Sequence, residues 1–218
     1  MAKINEATLT CNKCGHEFPI EVYESVNVTM DKDLKEKVVT KKIFEFTCPE
    51  CGEFHRVIYP FLYVDMEKMF MVYLADKETN LNDLRDQQLI QATDFLHNYK
   101  CRAVVDMHQL AEKIMINDLG LNDRVIEILK LFTVTQSTID REKLRSTFFA
   151  GKDEQGLHID LVMTDNSVTR AILPLVAYDN CYALNKEFFD EHKDEWEQLD
   201  VYWALSFVEG QMGNKETE

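Results

Sequence analysis

Nowhere does the chain hold about 18 consecutive apolar residues, the length a membrane-spanning helix needs. The opening residues Met1 to Glu6 contain no apolar run of signal-peptide length either. The expectation is a cytoplasmic protein. There thiols stay reduced, and close cysteine pairs read as metal ligands before they read as disulfides. Common catalytic signatures are missing too. There is no Walker phosphate loop, no glycine-rich dinucleotide turn, no His-Glu-x-x-His and no Gly-x-Ser-x-Gly. No fixed-period repeat is present beyond two cysteine knuckles.

Positive charge is also short. Lys and Arg number 24 against 39 Asp and Glu, a formal net charge of −15. Residues 1–64 carry 8 basic and 10 acidic side chains, a net of −2, so the remaining residues hold −13. Binding to nucleic acid needs a basic face that neutralises phosphates and releases counterions. An acidic C-terminal two-thirds argues against such a partner. Lys35, Lys37, Lys41 and Lys42 form the one basic cluster, and the reading there is a solvated hairpin tip.

What is present suffices for a core. The 218 residues are 45% hydrophobic and include 13 Phe, 8 Tyr and 2 Trp, so wholesale disorder is not expected. One large or two modest domains fit this length. Residues 1–75 read mostly as β. Ile20 to Val28 and Lys42 to Thr47 alternate like strands, with a polar loop from Asp31 to Lys37 between them. Phe54 to Tyr59 forms another strand, stopped by Pro60, and Phe61 to Val64 pairs with Met69 to Leu74.

Residues 76–135 read as a helical segment. A weakly periodic stretch spans Leu81 to His97, and Arg102 to Val105 is a short buried strand. Asp106 and Gln109 open a helix with a capping-box pattern, and Gly120 stops it. Asn122 then caps a second helix bearing Val125, Ile126, Ile128, Leu129 and Phe132. Residues 136–218 read as an α+β portion. Ser146 to Ala150, Leu157 to Met163 and Val168 to Leu173 make three antiparallel strands. Asn185 opens a short acidic helix through Trp196, Asp200 caps a last one, and the tail from Gly210 frays.

The chemistry lies in four cysteines. Cys11-Asn12-Lys13-Cys14-Gly15 is matched by Cys48-Pro49-Glu50-Cys51-Gly52, and 33 residues separate Cys14 from Cys48. Two residues between cysteines let one tight turn aim both sulfurs at one point, and zinc favours four such ligands in a tetrahedron. Glycine after each second cysteine supplies the positive φ that a knuckle turn needs. Backbone N–H groups of the turn then offset thiolate charge. The spacing exceeds the ribbon spacing of about 15–20 residues, and strand, loop and strand fill the excess. Four cysteines close the shell, so the zinc is structural. Iron is the second candidate, since thiolate tetrahedra suit both ions and the knuckles resemble those of rubredoxins.

His16 and His55 neighbour the knuckles and are expected outside the ligand shell. Cys101 and Cys181 stand alone and read as small buried hydrophobes. The acidic run Glu187, Asp190, Glu191, Asp194 and Glu195 reads as a solvated helix face, and Asp179 as no ligand.

The second knuckle, Cys48-Pro49-Glu50-Cys51, together with Cys11-x-x-Cys14, resembles the CpXC domain of bacteria and archaea. The strings Arg102 to Asp106 and Gly120 to Glu127 are similar to that family as well. The resemblance covers residues 8–130 and implies a metal-bearing ribbon fold, but no reaction. The reading is therefore an α+β protein with a zinc-ribbon-like antiparallel β domain (1–75), a helical middle segment (76–135) and a C-terminal α+β portion (136–218). It is expected to be a non-enzymatic module with a protein partner or self-association. The alternatives are an enzyme using the acidic C-terminal portion and nucleic-acid binding through the ribbon.

Overall fold

Phe18, Ile20 and Val26 are the buried positions of an 11-residue strand, β2 (Glu17–Asn27), and that strand organises the N-terminal half. Its first part pairs antiparallel with β1 (Lys3–Thr10), and its last three residues pair parallel with β5 (Phe61–Asp65). The structure, a computed structural model, describes residues 2–76, 98–191 and 195–213. It is α+β and divides into two compact units, residues 1–111 with 193–197, and residues 112–192 with 198–218. The first unit is built on a five-stranded sheet of order β1-β2-β5-β6-β7, with β6 (Phe70–Leu74) and β7 (Lys100–Val104). β5 and β6 form the expected antiparallel hairpin, and β7 lies parallel to β6. The stretch Leu81 to His97 lies outside the described residues.

The expected loop at Asp31 to Lys37 is instead a short helix, α1 (Asp33–Val39). Seven residues do not make a stable helix in water. Tertiary burial decides: Val38 is 0% exposed, and burying a valine stabilises by about 1.5–3 kcal/mol. Asp33 and Glu36 in the first turn and Lys37 in the last also suit the helix dipole. The strand expected from Lys42 begins only at β3 (Glu45–Thr47), after a 3₁₀ turn at Lys42–Phe44. That turn drives Phe44 into the core, its ring 5.5 Å from Phe61 and 5.0 Å from Tyr59. β3 pairs antiparallel with β4 (Phe54–Arg56), which is shorter than the strand read to Tyr59. Val57 still donates its N–H to the Phe44 carbonyl at 3.0 Å, one step on in the same register.

Residues 195–197 complete the first unit beside β7. Trp196 is buried against Met71, Tyr99, Cys101 and Ala103. Arg102 and Glu197, both buried, form an ion pair of 2.7 Å. Helix α2 (Met107–Asp118) opens at Asp106, whose carboxylate accepts from the His108 N–H. It stops at Gly120, where φ is +65°.

The second unit holds α3 (Asp123–Gln136), capped as expected by Asn122, whose side chain accepts from the Arg124 N–H at 3.0 Å. Its three-stranded sheet, ordered β10-β9-β8, has β8 (Leu144–Lys152), β9 (Leu157–Met163) and β10 (Val168–Leu173), all antiparallel. Helices α4 (Leu175–Leu184), α5 (Lys186–Asp190) and α6 (Val201–Gly213) follow, α6 capped by Asp200. The helix expected to run on to Trp196 ends at Asp190. Arg124 explains the stop: its guanidinium donates to the carbonyls of Phe188, Phe189 and Glu191, at 2.8, 3.3 and 2.9 Å. It takes up the orphan carbonyls of the helix end.

Charged side chains also cross the core of this unit. Glu112 and Lys113 from α2 face Glu127 and Lys130 from α3, all buried. Lys113 reaches Glu127 at 2.7 Å and Lys130 reaches Glu112 at 2.9 Å. The Phe149 N–H donates to Glu112 at 2.6 Å. The opposite charges balance, and this makes their burial tolerable.

Candidate metal centre

Each knuckle is the turn of a hairpin, the first joining β1 to β2 and the second joining β3 to β4. Their backbones repeat one another. Cys11 donates its N–H to His16 O at 2.9 Å, and Gly15 donates to Cys11 O at 2.9 Å. In the second, Cys48 donates to Glu53 O at 2.9 Å, and Gly52 donates to Cys48 O at 3.0 Å. Gly15 and Gly52 have φ of +74° and +70°. A Cβ at either would meet nothing within 4 Å, so left-handed backbone, not lack of space, demands glycine.

The two turns bring all four sulfurs together, with the ligand atoms of Cys11, Cys14, Cys48 and Cys51 lying within 4.8 Å of one another. Across the knuckles, Cys11 Sγ is 3.6 Å from Cys51 Sγ, and Cys14 Sγ is 3.7 Å from Cys48 Sγ. A tetrahedron with metal–sulfur bonds of about 2.3 Å has edges of about 3.8 Å, so the cage fits a thiolate-bound metal. The 33-residue spacing is explained as well. The intervening chain carries β2 into the main sheet, forms α1, and returns through the 3₁₀ turn to β3.

Apolar packing fixes the cage from below. Cys11 and Cys48 are buried with Phe18 and Ile20, while Leu9, Phe46 and Cys51 pack around them. Cys14 remains exposed. Burial pushes the Cys11 thiol up, but the backbone N–H groups of Cys14 and Lys13, with the His55 and Cys51 side chains, outweigh it and bring it down to about 6. The His16 backbone favours a Cys14 thiolate, yet burial and its three sister sulfurs push Cys14 up to about 12. Cys51 is also raised, burial and the Cys11 and Cys48 sulfurs outweighing the Glu53 backbone and Cys14. Cys11 thus forms a thiolate readily while Cys14 and Cys51 hold their protons, and a cation among the sulfurs would offset the charge of further thiolates.

His16 is exposed and stacks on Phe18, with ring centroids 6.3 Å apart. His55 is buried beside Cys11 and tilts against the same ring. Lys13 of the first knuckle bridges to Glu53, just past the second, at 3.0 Å. Cys101 is buried with its Sγ 3.6 Å from Tyr99 O, and Cys181 packs half-buried in the second unit. Neither joins the cage, which is the one metal-type cluster among the described residues. In the acidic run, Asp190 pairs with Lys186 and accepts from the Tyr182 hydroxyl at 2.5 Å.

Two cysteine knuckles on two hairpins define a ribbon-type four-cysteine domain. The CpXC family model, described as CpXC protein, matches residues 9–130, and the chain belongs to that family. No curated protein and no solved structure matches the chain. No described helix is long and apolar enough to cross a membrane.

Proposed function

We propose that this is a zinc protein whose four-cysteine site is structural, and that it acts in the cytoplasm as a non-enzymatic protein-interaction module. One observation carries the reading: four sulfurs from two glycine-closed knuckles meet within 4.8 Å. Cys11, Cys14, Cys48 and Cys51 would hold the ion and fill its coordination shell. A filled shell supplies folding free energy rather than an activated water. The net charge of −15 favours a protein over a duplex as partner.

Elemental analysis of protein purified without added metal tests the first half, with one zinc per chain expected. Iron and a red colour would move the reading to electron transfer. An anisotropy titration with labelled duplex tests the second half. Sub-micromolar binding at about 150 mM salt, lost on replacing Lys41 and Lys42, would put nucleic acid first.

A further inference from the structure

A cleft of about 550 Å³ lies between the two hairpins that carry the knuckles. On one side its wall is Phe18, Pro19, Ile20 and Glu21, four consecutive residues of β2. On the other it is Glu45, Phe46 and Thr47, the whole of β3. Successive side chains of a strand point to opposite faces. Lining by consecutive residues therefore means that the cleft runs along the edges of both strands.

Those edges are open. β2 pairs with β1 on one side, but on the other β5 takes only Ser25 to Asn27. β3 pairs with β4 on its other side. Pro19 sets the phase: lacking an N–H, it faces away from its β1 partner Thr8, and so does Glu21, two residues on. Beside the backbone of Tyr23, in the same phase, lies the Tyr59 hydroxyl, which donates to Ile43 O at 2.8 Å. Tyr59 thus closes the inner end. The Pro19 carbonyl and the Glu21 N–H and carbonyl remain, with no backbone partner outside the β1 pairing among the described residues.

The two faces of the cleft differ. Phe18, Ile20 and Ile43 give a buried apolar floor. Lys37 and Lys42 stand exposed at the rim beside the single exposed carboxylate of Glu21, none of the three forms an ion pair among the described residues, and the lysines outnumber the carboxylate. The nearby Glu45 is already held by Arg56 at 2.6 Å. An extended segment seated here would turn alternate side chains to apolar floor and basic rim.

We propose that the cleft binds an extended peptide of a protein partner by β-augmentation between β2 and β3, selecting apolar residues that alternate with carboxylates. This rests on the protein-interaction reading and names its partner class. The lysines favour a carboxylate-bearing strand, and main-chain bonds to Glu21 hold it in register.

The test uses the full metal-loaded chain and a labelled hexapeptide of alternating valine and glutamate, with a valine–lysine hexapeptide as counterpart. Anisotropy is read at about 150 mM salt. Saturable binding of the first and not the second is expected. Glu21→Pro removes the edge N–H without touching the β1 pairing and should abolish binding. Lys37→Glu with Lys42→Glu should weaken it about tenfold and reverse the preference. Metal content and melting of each variant are measured alongside, so loss of the cage is distinguished from loss of the cleft. Equal binding of both peptides, unchanged binding in variants that keep their metal, or no binding of the valine–glutamate peptide would overturn the proposal. So would a dimer of the chain alone that Glu21→Pro dissociates, since the occupant would then be a second copy.

Discussion

Replacing Cys48 by serine removes one of four sulfurs that the fold holds within 4.8 Å, at a position 1% exposed to solvent. A structural zinc contributes about 10–16 kcal/mol of folding free energy, so an equal share for one ligand of four is about 2.5–4 kcal/mol. For a chain of this size each kcal/mol moves the melting temperature by about 2–4 °C, which gives a fall of about 5–16 °C. Cys101→Ser is the control. That residue is buried too, but its sulfur lies 3.6 Å from the Tyr99 carbonyl and belongs to no cage. A serine hydroxyl can reuse that carbonyl, so the loss should be about 1 kcal/mol. Calorimetry of both variants, with zinc quantified before and after the scan, separates the two. Equal losses, or a Cys48→Ser protein that keeps full zinc against a chelator, would refute the reasoning.

Two further outcomes follow from particular contacts. Gly15→Val should lower zinc affinity and stability more than Gly15→Asn, because a φ of +74° suits asparagine far better than a β-branched residue; chelator competition on both variants checks the order. Lys130→Met should cost the second unit about 3–5 kcal/mol by leaving Glu112 buried without its ion pair, with Lys130→Met plus Glu112→Gln recovering much of the loss in denaturant melts.

The cysteine knuckles were legible in the sequence because the turn dictates its own residues: two sulfurs at fixed spacing, then a glycine at positive φ. The three-stranded sheet of the second unit was legible for a like reason, since alternation and turn residues are local signals. The α1 helix was not. Its polar stretch reads as loop, and one apolar position, Val38, becomes the anchor only when the fold buries it. The end of α5 at Asp190 was equally hidden, because the guanidinium that collects its carbonyls sits more than 60 residues away at Arg124. Helix α4 packs Ala177, Tyr178, Cys181 and Tyr182 on the core, but Leu175, Val176 and Leu184 stand exposed on it and blur that stripe in the sequence. The four-charge cluster of Glu112, Lys113, Glu127 and Lys130 reads in sequence as ordinary helix surface. Only the packing of α2 with α3 and β8 reveals that it is buried.

X-ray absorption at the edge of the metal in the purified protein reads the ligand shell itself. Zinc with four sulfur neighbours at about 2.3 Å, and no nitrogen or oxygen bound to it, is expected. A shell with fewer than four sulfurs, or with an imidazole such as His55 in place of one, would contradict a structural four-cysteine site.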